Sequence, residues 1–280
     1  MTDRLLRPAL ATLALLATVA FGMPTTAQDG ASDGSAAGLP TADALIAKML
    51  EASGGKEALA KLKNRVVSGK FSMPAMGMEA PLTMYMAPGS LYVEIELEGM
   101  GKITQGLHDG VAWTVDPMMG ARIMEGAERA AMLREAELAP LLAVKKNYKE
   151  MAVTGVTKRG DQDAYKLKMV PREGAPEYWY VSRATHLVLA VDATHESPMG
   201  SIEVKSEVKE YKDVDGVKLP WKTEVDQAMQ KFTITMDKIE HNVEIPASRW
   251  DFPGDIKALL EKKKGKGKDE GKKEGEKVGL

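Results

Sequence analysis

The chain of 280 residues contains no cysteine. That absence excludes disulfide scaffolds, thiolate zinc sites, iron–sulfur clusters, thiol catalysis and an acylated cysteine anchor. Aromatic residues are scarce at 5%. Histidine is scarcer still: His108, His186, His195 and His241 are the full set, and no two are spaced i, i+4. There is no HExxH, Walker loop or GxGxxG, so no motif argues for an enzyme or for a bound cofactor. Charge of one sign is missing too. A formal net charge of −2 gives no electrostatic footprint for nucleic acid. Beyond the first 27 residues, no apolar run reaches the roughly 18–20 residues a spanning helix needs.

What the chain does have is an export signal at its start. Arg4 and Arg7 precede an apolar stretch from Pro8 to Phe21, and Thr25-Thr26-Ala27 offers small residues for cleavage after Ala27, with a second site after Gly22. Residues 1–27 therefore read as a signal peptide and predict a soluble periplasmic protein. Residues 28–40, rich in Gly, Ala, Ser and Asp, read as a flexible leader.

A single domain is expected over residues 41–260. Thr41 can cap a helix carrying Leu45, Met49 and Leu50, stopped at Gly54-Gly55, and Lys56 to Lys63 makes a second helix. From Arg65 the apolar period becomes two, which is the strand signature. Leu91, Val93, Ile95 and Leu97 alternate with polar neighbours, as do Val217, Leu219 and Val225, and Phe232, Ile234 and Met236. Asp109-Gly110 and Asp215-Gly216 read as hairpin turns. Glu125 to Tyr148 returns to helical spacing, broken at Pro140 into two helices. The order is helix–helix, about five strands, helix–helix, then about six strands. Strands with one apolar face build an antiparallel sheet that helices must cover. Residues 261–280 hold eight lysines, five acidic residues and five glycines and are expected to be disordered.

Few residues suggest chemistry. Glu94, Glu96 and Glu98 alternate onto one strand face, which suits solvent better than a catalytic pair. Methionine gives the unusual signal. Nine of the 18 lie between Met73 and Met124. Met73, Met76 and Met78 have the thioether density of a copper(I) site. A malleable apolar surface and simple core filling are the competing readings.

Several short motifs carry a family resemblance. Glu51-Ala-Ser-Gly-Gly-Lys-Glu-Ala-Leu59, Val66-Val-Ser-Gly-Lys-Phe71, Ala87-Pro88, Gly106-x-x-Asp109-Gly110-x-Ala112-Trp113, Pro117-x-x-Gly120-x-Arg122 and Asp215-Gly216-Val-Lys-Leu-Pro220 resemble bacterial outer-membrane lipoprotein-sorting, lipoprotein-carrier-like proteins. The resemblance spans roughly Pro40 to Pro253. It implies an α+β fold, an incomplete antiparallel β-barrel with helices as a lid over a concave apolar face that holds acyl chains.

On that basis the chain is expected to be a monomeric, non-enzymatic carrier of a lipid or acylated lipoprotein, with envelope proteins and the membrane surface as further contacts. The expected cavity residues are Met84, Met86, Leu91, Val93, Ile95 and Leu97, together with Ile103 and Trp113. The expected lid residues are Met132, Leu133, Leu138, Leu141 and Leu142. A copper(I)-handling protein and a structural envelope module are the alternatives.

Overall fold

Alternating apolar residues punctuated by tight turns become two β-meanders. A computed structural model describes residues 38–197, 200–227 and 230–277, so the signal peptide and most of the leader lie outside the described residues. The first meander is β1 (Arg65–Met73), β2 (Met78–Ala87), β3 (Ser90–Leu97), β4 (Gly101–His108), β5 (Val111–Asp116) and β6 (Gly120–Met124). The second is β7 (Tyr148–Arg159), β8 (Gln162–Pro171), β9 (Glu177–Ser182), β10 (Val188–Ser197), β11 (Gly200–Val214), β12 (Val217–Gln227) and β13 (Gln230–His241). β1 pairs antiparallel with β13, setting Arg65 opposite His241, and this one ladder joins the meanders.

The result is a 13-stranded sheet whose edges are β6 and β7. The edges do not pair, so the barrel is incomplete. The alternation suggests about eleven strands; the extra ones include the short β6, whose residues are mostly half-buried. Asp109-Gly110 and Asp215-Gly216 turn with positive φ at both residues, as hairpins of matching twist require.

Among the described residues five helices accompany the sheet: α1 (Ala42–Ala52), α2 (Gly55–Ala60), α3 (Gly126–Glu135), α4 (Val144–Asn147) and α5 (Gly254–Lys277). The segment from Glu125 to Tyr148 therefore divides into α3, a 3-10 turn over Pro140–Leu142 and α4 rather than two full helices. This segment carries the chain from one sheet edge to the other. α5 differs from the expectation of disorder after residue 260, because its backbone is helical through Lys277. Lysine and glutamate are good helix formers, and the fully buried Ile256 seats the first turn.

Three apolar clusters result among the described residues, the smallest being Ala164, Tyr180 and Ala190, and the two large ones take in helices. One joins β1–β5 with β12 and β13 and takes in Leu59 of α2 and Met132 of α3. The other joins β7–β10 and takes in Leu45 and Met49 of α1. Thr41 starts α1 by accepting a hydrogen bond from the Ala44 N–H at 3.2 Å. Thr41→Ala is expected to cost about 1 kcal/mol in urea unfolding, with Thr41→Ser close to the parent. An unchanged midpoint in the alanine variant would mean that this cap contributes nothing.

Candidate ligand cavity

Between the two large clusters the packing does not close. A cavity of about 230 Å³ lies against the concave side of the sheet, at the seam of the two clusters. Met84 and Met86 of β2, Val225 of β12 and Ile234 of β13 supply apolar wall from one cluster; Trp179 of β9 and Val191 of β10 supply it from the other. The helical side contributes Met49 of α1, Leu59 of α2 and the stretch from Arg134 to Leu141.

The structure divides the expected cavity residues. Met84 and Met86 border the cavity. Their cross-strand partners Val93 and Leu91 share that sheet face, as do Ile95, Leu97 and Ile103, but these five are buried in the first cluster beside Met132 and Ala136 rather than on the cavity wall. Trp113 takes the other face. It pairs with Gly106, which pairs with Tyr92, and the Tyr92 and Trp113 rings lie 6.0 Å apart. A Cβ at position 106 would sit 2.6 Å from the Trp113 ring, which explains the glycine in that motif.

The expected lid residues divide as well. Leu138 and Leu141 line the cavity. Met132 and Leu133 pack into the first cluster, and Leu142 is exposed. Among the clustered methionines, Met73, Met84, Met86 and Met124 are buried, whereas Met76, Met100, Met118 and Met119 are exposed on hairpin turns. Met73 and Met78 face each other across β1 and β2, with Met76 in the turn between them. Among the described residues, no group of three or more His, Asp or Glu side chains could hold a metal ion.

The polar part of the wall is what the sequence did not announce. Arg65 enters from β1, its guanidinium donating to His241 Nε2 at 3.1 Å and to the Leu138 carbonyl at 3.3 Å. Burial lowers its pKa to about 10. Arg134 donates to the Glu173 carbonyl at 3.2 Å. Glu135, next along α3, is buried, and desolvation raises its pKa to about 7 against the opposing pull of Arg134. Behind this wall Glu177 of β9 is fully buried, and desolvation raises it to about 8. The Tyr148 hydroxyl and the Trp179 indole N–H neighbour that carboxyl, yet neither carboxyl oxygen closes a hydrogen bond of good geometry. His195 of β10 is buried close by, and desolvation followed by Arg134 lowers it to about 4.

Charged residues on a helix normally read as a solvated face, so Arg134 and Glu135 gave no sequence signal. Val225 and Ile234 did alternate visibly, but nothing local told which space their face would border.

By sequence, no protein-family model and no curated protein matches the chain. Solved structures do. A LolA superfamily protein from Nitrosomonas europaea superposes with a TM-score of 0.52 at 11% identity, over 76% of this chain and 99% of that one. A DUF1329 family protein from Desulfovibrio piger gives 0.51 at 12% identity, over 75% and 97%. An outer membrane lipoprotein-sorting protein domain from Vibrio parahaemolyticus gives 0.50 at 9% identity, over 75% and 97%. The chain thus has the LolA-like fold, an open antiparallel barrel with helices against it.

Proposed function

We propose that this protein is a non-enzymatic carrier or binding protein of the bacterial envelope that holds a lipid or lipoprotein acyl group in the cavity between its sheet and its helices. The observation that carries the reading is the cavity itself: apolar side chains from both core clusters leave about 230 Å³ unfilled at their seam. Interiors normally pack to the density of organic crystals. An apolar space of this size costs stability unless a ligand recovers the lost contacts. Burying an alkyl chain there would return about 25 cal/mol per Å² of apolar surface. The lid consists of α1, α2, α3 and the turn at Leu141, and acyl chains would pass when it moves. A fold shared with an outer membrane lipoprotein-sorting domain supports a periplasmic setting. The clustering of polar groups at one part of the wall suits an amphiphile better than a plain hydrocarbon.

The test contrasts two neighbouring strands. Met84 borders the cavity while Ile95, in β3, is packed in the cluster. Met84→Trp is expected to fill space with little change in stability and to weaken binding of a fluorescent fatty-acid probe by tenfold or more, roughly, as contacts and room are lost. Ile95→Phe overpacks a closed region and should cost about 1–3 kcal/mol with probe affinity retained in the folded protein. Urea unfolding and probe titration on the same preparations decide it. A parent protein that binds no probe, together with a destabilised Met84→Trp, would make the seam ordinary core.

A further inference from the structure

One residue breaks the pattern of the concave face. Along β1 the side that turns to the cavity carries Arg65, Val67, Gly69, Phe71 and Met73, and all but Arg65 are buried. The row therefore opens with a cation where alternation calls for an apolar side chain. In register Arg65 stands between Met86 of β2 and His241 of β13, and both Arg65 and Met86 line the cavity. Local rules broken in this way gather at functional sites.

The contacts of Arg65 orient it without neutralising it. A guanidinium has five N–H groups. Nε donates to His241 Nε2 at 3.1 Å, and Nη2 donates to the Leu138 carbonyl at 3.3 Å. Both acceptors are uncharged: burial, and then Arg65 itself, hold the imidazole below its ordinary pKa. Asp215 reaches only the far nitrogen of that ring, Nδ1, at 3.0 Å and from an exposed position. Desolvation is what lowers the pKa of Arg65, and among the described residues no carboxylate acts against it. A buried cation held by neutral acceptors is costly.

The other charges on the wall have opposite ones beside them. Arg134 attracts Glu135 on α3. Glu137 is paired with Lys146 at 2.7 Å, and Lys218 with Asp213 at 3.7 Å. Behind the wall Glu177, raised to about 8, keeps its proton at neutral pH. One positive charge remains, at Arg65, and protonation of Glu135 would only add to it. The rest of the wall is apolar enough to take an alkyl chain.

We propose that Arg65 is the head-group anchor of the cavity. It receives the anionic end of an amphiphile, a carboxylate or a phosphate ester, on Nη1 and the remaining hydrogen of Nη2, while the alkyl chain follows the apolar seam past Met84, Met86 and Ile234. This rests on the carrier reading above and names the class of ligand. It makes Arg65 a specificity-determining residue. Two parallel N–H···O bonds favour a carboxylate or phosphate over a hydroxyl, and an ammonium head meets charge of its own sign.

The test uses four probes of one chain length: dodecanoic acid, dodecyl phosphate, dodecanol and dodecylamine. Each is titrated by calorimetry at low ionic strength and about pH 7 into the mature protein, Arg65→Gln and Arg65→Lys. The parent should bind at least one of the two anions about tenfold or more tighter than the alcohol, and the amine most weakly. The tighter anion tells whether the head group is a carboxylate or a phosphate. In Arg65→Gln the ratio of that anion to alcohol should fall toward one, while dodecanol keeps its affinity because its apolar contacts remain. Lysine keeps the charge but not the fork, so Arg65→Lys should lose about threefold or more of the ratio. If Arg65→Gln does not fold, Arg65→Lys decides, and an unchanged ratio there overturns the anchor. Equal affinity for both anions and the alcohol in the parent, or a preference that survives in Arg65→Gln, overturns it too while leaving a carrier. Failure of all four probes to bind removes the carrier reading and the anchor with it.

Discussion

Gly54→Ala is expected to destabilise the protein by at least about 3 kcal/mol, while Gly55→Ala, one residue on, costs only about 1 kcal/mol. Both glycines join α1 to α2, and both have positive φ, +116° and +82°. Their surroundings differ. A Cβ at 55 meets nothing within 4 Å, so only the backbone preference is lost. A Cβ at 54 would lie 2.1 Å from the Gly216 carbonyl oxygen and 3.1 Å from the Val217 Cα. Neither neighbour can swing away, because the Lys218 N–H donates to the Ser53 carbonyl at 3.1 Å and holds the helix junction on the β11–β12 turn. The alanine must push α1 and α2 off the sheet. Met49, Ser53 and Leu59 would move with them, so acyl-probe affinity should fall together with the urea midpoint. Equal costs at the two positions would show that the close approach is not what fixes the helical pair.

The same junction shows how far the sequence could be read. The motif from Glu51 to Leu59 and the motif from Asp215 to Pro220 stand far apart in the chain, and each looks like turn chemistry. The structure puts one on top of the other, with Gly54 against Gly216. Strands such as β3, β12 and β13 were legible because one of their faces is buried and the other is wet. β7 was not, since it is an edge strand whose residues are nearly all half-buried or exposed. In β5, Ala112 and Trp113 are consecutive and both buried, so alternation could not say which faced the cavity. The outer side is covered by the segment around Trp250 and Phe252, which stacks on His108 of β4, and by Arg249 over Tyr85 and Tyr92. That cover comes from the far end of the domain, beyond the reach of a local pattern. The polar wall was hidden for a similar reason: Glu135 is dry only because strands from both meanders close around α3.

Glu177→Gln is expected to stabilise the protein relative to the parent increasingly as pH rises, by about 3 kcal/mol between pH 5 and pH 9. Glu177 is fully buried, and desolvation is the largest influence on it; Tyr148 and Arg134 pull the other way without cancelling it. The carboxyl therefore releases its proton near pH 8 when folded and near 4.5 when unfolded. Between those values the folded chain binds a proton that the unfolded chain has lost, so stability is full below about 4.5 and declines as pH climbs through about 8. Glu135 acts in the same direction up to about pH 7. His195 acts oppositely. Its folded pKa of about 4 lies below the ordinary 6.5, so its contribution is lost as pH falls across that window. Above about pH 6.5 only the two carboxyls remain, and the parent should weaken there. Glutamine keeps the shape of Glu177 and cannot ionise, so the variant should resemble the parent near pH 5 and exceed it near pH 9. Urea unfolding across that range separates this from simple repacking, which would shift both ends alike. A difference between variant and parent that does not vary with pH would mean that Glu177 is ionised throughout, its charge balanced by Arg134.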